Sequence, residues 1–299
     1  MTVTIAKSAG FCFGVKRAVN LVYEEAEKSS PVYTMGPIIH NDNVVQDLEA
    51  KGVRIIDDDL ICTADGRRPP AGATVVIRSH GISKAQYECL QASGYRLTDA
   101  TCPFVQKIHT IVSIMSQKGY PVVIIGDPNH PEVIGIRGWV KGKCRVISNS
   151  EEARQLSFDR TEAVCVVSQT TYNYDKFQEL VEIIETLGYH VMVTNTICSA
   201  TRERQTEAME LASASDVMLV IGGVHSSNTQ KLYNICQSRC GRTYFVSSLQ
   251  DLETIRFEEG DRIGITAGAS TPNTLIQEVS QHVRRAELRT DAQRKFQNY

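Results

Sequence analysis

Three cysteines recur at nearly equal intervals along this 299-residue chain: Cys12, Cys102 and Cys198, 90 and 96 residues apart. Each follows an apolar, β-branched run and precedes apolar residues at helical spacing. Two further positions repeat with them. His40, His130 and His225 stand 28, 28 and 27 residues beyond their cysteines, and His80, Thr170 and Ser270 stand 68, 68 and 72 beyond. Self-similarity at this period predicts three tandem units. Strands alternating with helices predict an α/β fold: three similar α/β/α units with parallel sheets and polar loops at strand C-terminal ends. The expected units are 1–101 with Cys12, His40 and His80; 102–197 with Cys102, His130, Glu132 and Thr170; and 198–299 with Cys198, Ser226, Asn228 and Ser270. Packed about a pseudo-threefold axis, their loops would converge on one central cavity.

The elements follow from local pattern. Val15, Ala18, Val19 and Val22 predict a helix from Cys12 to about Lys28, and Val44, Val45 and Leu48 a second one ending at Gly52. Cys102-Pro103 puts proline at a first helical position, where its missing N–H costs nothing. Strands are expected at 2–6, before Gly36, at 53–56 and 74–78, from Val122, at Arg145-Val-Ile, at 163–167, at Val191-Met-Val-Thr, from Val217, at Tyr244-Phe-Val and from Ile263. Residues 62–72 read as a loop, and 284–299 as the end of a solvated helix followed by a polar tail.

Composition narrows the function. Apolar residues make up 42% and charged residues 22%, as in soluble globular proteins, and a net charge of −2 argues against a nucleic-acid surface. The N-terminus lacks a signal-peptide pattern, and no apolar run approaches the roughly 18–20 residues that span a bilayer. A cytoplasmic location without membrane association is expected. Nine cysteines, an odd number, read as thiols rather than a disulfide framework.

Three convergent thiolates without a fourth suit a metal site with one open position, either a zinc triad or a 4Fe–4S cluster. His40, His80, His130, Ser226, Asn228 and Ser270 offer many donors beside one carboxylate, Glu132. That balance suits an anion such as a diphosphate, with helix N-termini adding N–H groups. Glu132 is the natural proton donor, its pKa expected to rise beside a bound anion. Thr170 could hold a substrate hydroxyl or relay the proton. Cys62, Cys89, Cys144, Cys165, Cys236 and Cys240 do not repeat between units; Cys165 reads as core, and Cys236 with Cys240, four apart on one helical face, could seed half a metal site. Neither a Gly-x-Gly-x-x-Gly nor a P-loop follows a strand, so no bound dinucleotide or nucleoside triphosphate is indicated.

The ordered set Gly-Phe-Cys12-Phe-Gly-Val, Ile-His40-Asn, Ser-His80-Gly, Asp-Ala-Thr-Cys102-Pro, His130-Pro-Glu132, Gln-Thr170-Thr, Ile-Cys198, Ser226-Ser-Asn228 and Ala-Gly-Ala-Ser270 closely resembles the 4-hydroxy-3-methylbut-2-enyl diphosphate reductase family. The resemblance runs from about residue 5 to 283. It implies a 4Fe–4S cluster on Cys12, Cys102 and Cys198, with the fourth iron open to the substrate hydroxyl. It further implies reductive removal of that hydroxyl, giving isopentenyl and dimethylallyl diphosphate in the methylerythritol phosphate route. His40, His80, His130, Ser226, Ser227, Asn228 and Ser270 match diphosphate-binding positions, and Glu132 the proton donor with Thr170 near the hydroxyl. Electrons would come from an external ferredoxin or flavodoxin. Phe13 departs from the family, where alanine is common, and the chain ends without the RNA-binding repeats of some relatives. Two rival readings have different signatures. A quinolinate-synthase-like enzyme would bind carboxylates through loop arginines, where histidine, serine and asparagine stand here. A zinc-stabilised three-domain scaffold or cluster-based sensor is separated by metal analysis, about one zinc without acid-labile sulfide marking the zinc scaffold.

Overall fold

The computed structural model describes residues 1–28, 31–57 and 68–297, with side chains through 285. The expected loop at 62–72 thus falls partly, and Cys62 wholly, outside the described residues. Two compact units divide the chain: one takes Met1–Cys12, His40–Asp42 and Ser199–Tyr299, the other Phe13–Ile39 and Asn43–Cys198.

Among the described residues twelve strands, numbered in chain order, form three four-stranded parallel sheets. Strand β1 (Thr2–Ile5) opens the chain. One sheet holds β2 (Val32–Met35), β3 (Arg54–Ile56), β4 (Thr74–Ile77) and β5 (Arg96–Asp99), in the order β3-β2-β4-β5. The next holds β6 (Val122–Ile125), β7 (Cys144–Ile147), β8 (Ala163–Ser168) and β9 (His190–Val193), in the order β7-β6-β8-β9. The last combines β10 (Val217–Ile221), β11 (Thr243–Val246) and β12 (Arg262–Ala267) with β1, in the order β1-β12-β10-β11. All three share one plan in which the first and third strands lie side by side at the centre. The chain crosses over between these two, and in open α/β sheets ligands bind beyond the carboxyl ends of strands at that switch point.

The ten helices of the described chain are α1 (Phe13–Ala26), α2 (Asp42–Ala50), α3 (Lys84–Ala92), α4 (Pro103–Gln117), α5 (Pro131–Arg137), α6 (Ser150–Arg154), α7 (Tyr174–Thr186), α8 (Ser199–Ser213), α9 (Ser227–Gln237) and α10 (Asn273–Gln297). Strands buried on both faces explain the unbroken apolar runs that make them legible. Along β6, Val122 and Ile124 pack toward Ile108 and Val112 of α4, while Val123 and Ile125 meet Phe177 and Ile184 of α7. Strand β10 divides in the same way: Met218 and Val220 face Ala208 and Leu232, whereas Leu219 and Ile221 face Ile276 and Val279. Pro103 and Pro131 open their helices, and Asn149 and Asn173 cap α6 and α7 through their side chains.

The structure departs from local reading in its pairing. Strand β1 pairs with β12, Val3 opposite Ile263, and so completes the sheet built from the far end of the chain. Each cysteine accordingly follows the fourth strand of a sheet: Cys12 after β1, Cys102 after β5 and Cys198 after β9. The polar stretch beyond Arg284 is helical to Gln297 rather than a helix end with a tail. Cys240 lies beyond the end of α9, so it shares no helical face with Cys236. Among the described residues no helix is long and apolar enough to cross a membrane.

Candidate active site

The site residues stand where the sheet plan puts loops. His40 follows β2, His80 follows β4, His130 follows β6, Thr170 follows β8, Ser226 follows β10 and Ser270 follows β12. In every sheet these are the two adjacent central strands.

A shared backbone bond positions the cysteines. Cys102 N–H donates to Ser79 O at 3.0 Å, Cys198 N–H to Thr170 O at 3.1 Å and Cys12 N–H to Ala269 O at 3.2 Å. Each cysteine is therefore tied to the loop after the third strand of its own sheet, at or beside His80, Thr170 and Ser270. These carbonyls were invisible to motif reading, because any residue type supplies one. None of the three thiols is in a disulfide, and all are partly buried.

In the unit containing residues 43–198, Glu132 is the second residue of α5 and 2% exposed. Its carboxylate accepts the Thr170 N–H at 2.6 Å through Oε1 and the Thr170 hydroxyl at 2.8 Å through Oε2. The Glu132 N–H donates to Nδ1 of His130, the α5 N-cap, at 3.1 Å. With Nδ1 accepting, His130 keeps Nε2 as its donor. The His80 and His130 rings meet edge to face with centroids 5.4 Å apart. Cys102 caps α4 and sits against Gly14 so closely that a Cβ there would come within 2.6 Å of its Sγ. Arg17, one turn further along α1, donates to Thr101 O and Asp99 O and braces the segment before Cys102.

The other unit gathers a hydroxyl and amide set. The Ser226 hydroxyl caps α9 by accepting from Thr229 N–H, and the Ser270 hydroxyl lies 3.4 Å from it and 3.3 Å from His40 O. Asn228 Oδ1 accepts the Ala269 N–H, while Ser227 accepts from Lys231 Nζ. Gly223 and Gly268 permit this closeness: a Cβ would stand 2.8 Å from His40 O at the first and 2.0 Å from Thr229 Oγ1 at the second. His225, at the repeated offset, makes no contact that gives it a role.

The remaining cysteines differ in chemistry. Burial pushes the Cys144 and Cys165 thiols up to about 11 and Cys236 to about 12, which holds them protonated and poor as ligands. Cys236 lies in the core, its Sγ directed at Ala208 O. Cys89 is disulfide-bonded, against the expectation of a free thiol. Phe13, the departure beside Cys12, is 68% exposed.

The fold is that of an α/β enzyme, with the candidate site residues beyond the central strands of its parallel sheets. A family model described as LytB protein matches residues 3–284, and the chain belongs to that family. The chain is 46% identical over 286 residues to the 4-hydroxy-3-methylbut-2-enyl diphosphate reductase of Caldanaerobacter subterraneus subsp. tengcongensis, covering 95% of this chain and 97% of that protein. It is 43% identical over 283 residues to the reductase of the same name from Geobacter sulfurreducens, with the same coverage. Among solved structures, the E-1-hydroxy-2-methyl-but-2-enyl-4-diphosphate reductase of Plasmodium falciparum superposes with a TM-score of 0.84 at 28% identity, over 94% of this chain and 87% of that one. A structure of (E)-4-hydroxy-3-methyl-but-2-enyl diphosphate reductase, the terminal enzyme of the non-mevalonate pathway, gives 0.65 at 39% identity, over 95% and 100%.

Proposed function

We propose that this enzyme reductively removes the hydroxyl of (E)-4-hydroxy-3-methylbut-2-enyl diphosphate, giving isopentenyl and dimethylallyl diphosphate, as its curated relatives' names indicate. In the balanced reaction the allylic C–O bond breaks, two electrons and two protons enter, and water leaves. We read the chain as three units, 1–101, 102–197 and 198–299, about a pseudo-threefold axis, with a 4Fe–4S cluster on Cys12, Cys102 and Cys198. The donor set fits that group: three partly buried thiols outside any disulfide, each beyond the end of a fourth strand with its backbone N–H already bonded. When bound, the cluster supplies a Lewis-acidic iron and takes in single electrons from outside. An external ferredoxin or flavodoxin would provide them, in the cytoplasm.

The observation that carries the reading is the double role of Thr170. Its N–H and hydroxyl hold the Glu132 carboxylate, while its carbonyl holds the N–H of Cys198. One residue thereby sets the distance from proton donor to metal ligand. Glu132 gives the proton that turns the leaving hydroxyl into water, with the Thr170 hydroxyl holding the substrate oxygen or relaying that proton. His130 holds the Glu132 backbone N–H at Nδ1, which keeps Nε2 as a donor. His40, His80, His130, Ser226, Ser227, Asn228 and Ser270 bind the diphosphate, aided by N–H groups of the first turn of α9. Anaerobic reconstitution with iron and sulfide, then turnover of the hydroxymethylbutenyl diphosphate with reduced methyl viologen, tests this directly. Both products should form; about one zinc per chain with no acid-labile sulfide would refute it.

A further inference from the structure

We infer that His109 and Trp139, two residues outside the reacting set, are positioning residues that clamp the turn carrying His80. This inference rests on the reading of His80 as a diphosphate ligand. The turn Ser79-His80-Gly81-Ile82 leaves β4 and is held at several points. Gly81 has φ +73, and a Cβ there would lie 2.6 Å from Cε1 and 3.3 Å from Nε2 of His109. The His109 ring stacks on Trp139, centroids 5.2 Å apart and planes 16° from parallel, and Trp139 Nε1–H donates to Ile82 O at 2.8 Å. Gly135 of α5 packs beside the same turn; a Cβ there would sit 3.6 Å from the Gly81 and Ile82 backbone.

The geometry explains why these two residues and not others. His109 lies seven residues beyond Cys102 on α4, two turns along one face, so the helix whose N-cap residue donates its backbone N–H to Ser79 O also presses an imidazole on Gly81. Trp139 follows α5, the helix that begins at His130 and Glu132. The clamp therefore references His80 to the proton donor through one helix and to a metal ligand through the other. His109 suits a fixed wedge: it is 6% exposed, and its Nε2 finds no hydrogen-bond partner among the described residues. Both rings also line a cavity of about 370 Å³ with Tyr87 and Gln106, so trimming the indole deletes the bond to Ile82 without opening a sealed void.

The test compares Trp139→Phe, His109→Gln and His80→Asn with wild type in reconstituted holoenzyme. Inorganic diphosphate affinity is read by calorimetry, KM and kcat by turnover, and iron content by analysis. The inference expects Trp139→Phe and His109→Gln to weaken diphosphate and raise KM roughly fivefold, the loss of one neutral hydrogen bond or packing contact. Iron content and kcat should hold within about twofold, a split that general destabilisation would not produce. If His80→Asn weakens diphosphate while both clamp variants bind as wild type, the clamp is refuted and the site reading stands. Wild-type binding by His80→Asn would overturn that reading and the clamp with it. Loss of iron in parallel with affinity in both clamp variants would also refute it, since the two residues would then be plain fold supports.

Discussion

His109 makes the stability of this enzyme depend on pH in a calculable way. Burial pushes its pKa down to about 4, against a smaller upward pull from Asp99. An exposed histidine in the unfolded chain titrates near about 6.5. Between these values the unfolded chain takes up a proton that the folded chain refuses, so stability falls as pH drops through that window. Above the unfolded value the effect vanishes. From about pH 7.5 to about pH 5 the loss is about 2 kcal/mol, at 1.36 kcal/mol per unit of separation. Trp139 is the sole tryptophan and stacks on this ring, so its fluorescence reports the unfolding transition locally. Urea unfolding of wild type and His109→Gln at both pH values isolates the contribution, because glutamine does not titrate. The wild-type advantage over the variant should shrink by about 2 kcal/mol at the lower pH. A difference that stays constant, or a native titration of Trp139 fluorescence centred near the ordinary histidine value, would refute the desolvation argument.

Three further predictions concern the proposed site. Glu132→Gln should keep iron and diphosphate binding but lose about 10²–10⁴ in turnover, the usual worth of a positioned acid; wild-type rates would remove its role. Thr170→Val, which keeps the N–H bond to Glu132 and deletes the hydroxyl bond, should fall between that variant and wild type. Cys12→Ser, Cys102→Ser and Cys198→Ser should each lose iron and sulfide on reconstitution, whereas Cys165→Ala, in the core of its sheet, should retain both. Retention by any of the first three would break the ligand set.

Much of this molecule was legible from local pattern, for definite reasons. Strands covered on both faces must be apolar throughout, so β6 and β10 stand out as Val-Val-Ile-Ile and Val-Met-Leu-Val-Ile. The start of α4 announces itself through proline at Pro103. Loops at strand ends recur at fixed offsets from the cysteines, which made the candidate residues His40, His80, His130, Thr170 and Ser270 stand out. Helix α3 and the edge strand β5 drew no expectation, since their apolar positions are sparse and mixed with charge, and α7, although it buries Phe177, Leu180, Val181 and Ile184, drew none either.

Pairing and distance belonged to the tertiary structure. Nothing in Thr2–Ile5 states that its partner lies some 260 residues away, because parallel strands are matched by sheet packing rather than by local sequence. That one pairing turns three cysteines that seem to open units into three that close sheets. The bond from Glu132 to Thr170 spans 38 residues, and the wedge of His109 against Gly81 links a helix to the turn of another sheet. Chain spacing could name candidate residues. Only the fold, by bringing remote backbone groups within hydrogen-bond reach, decided which of them hold one another in place.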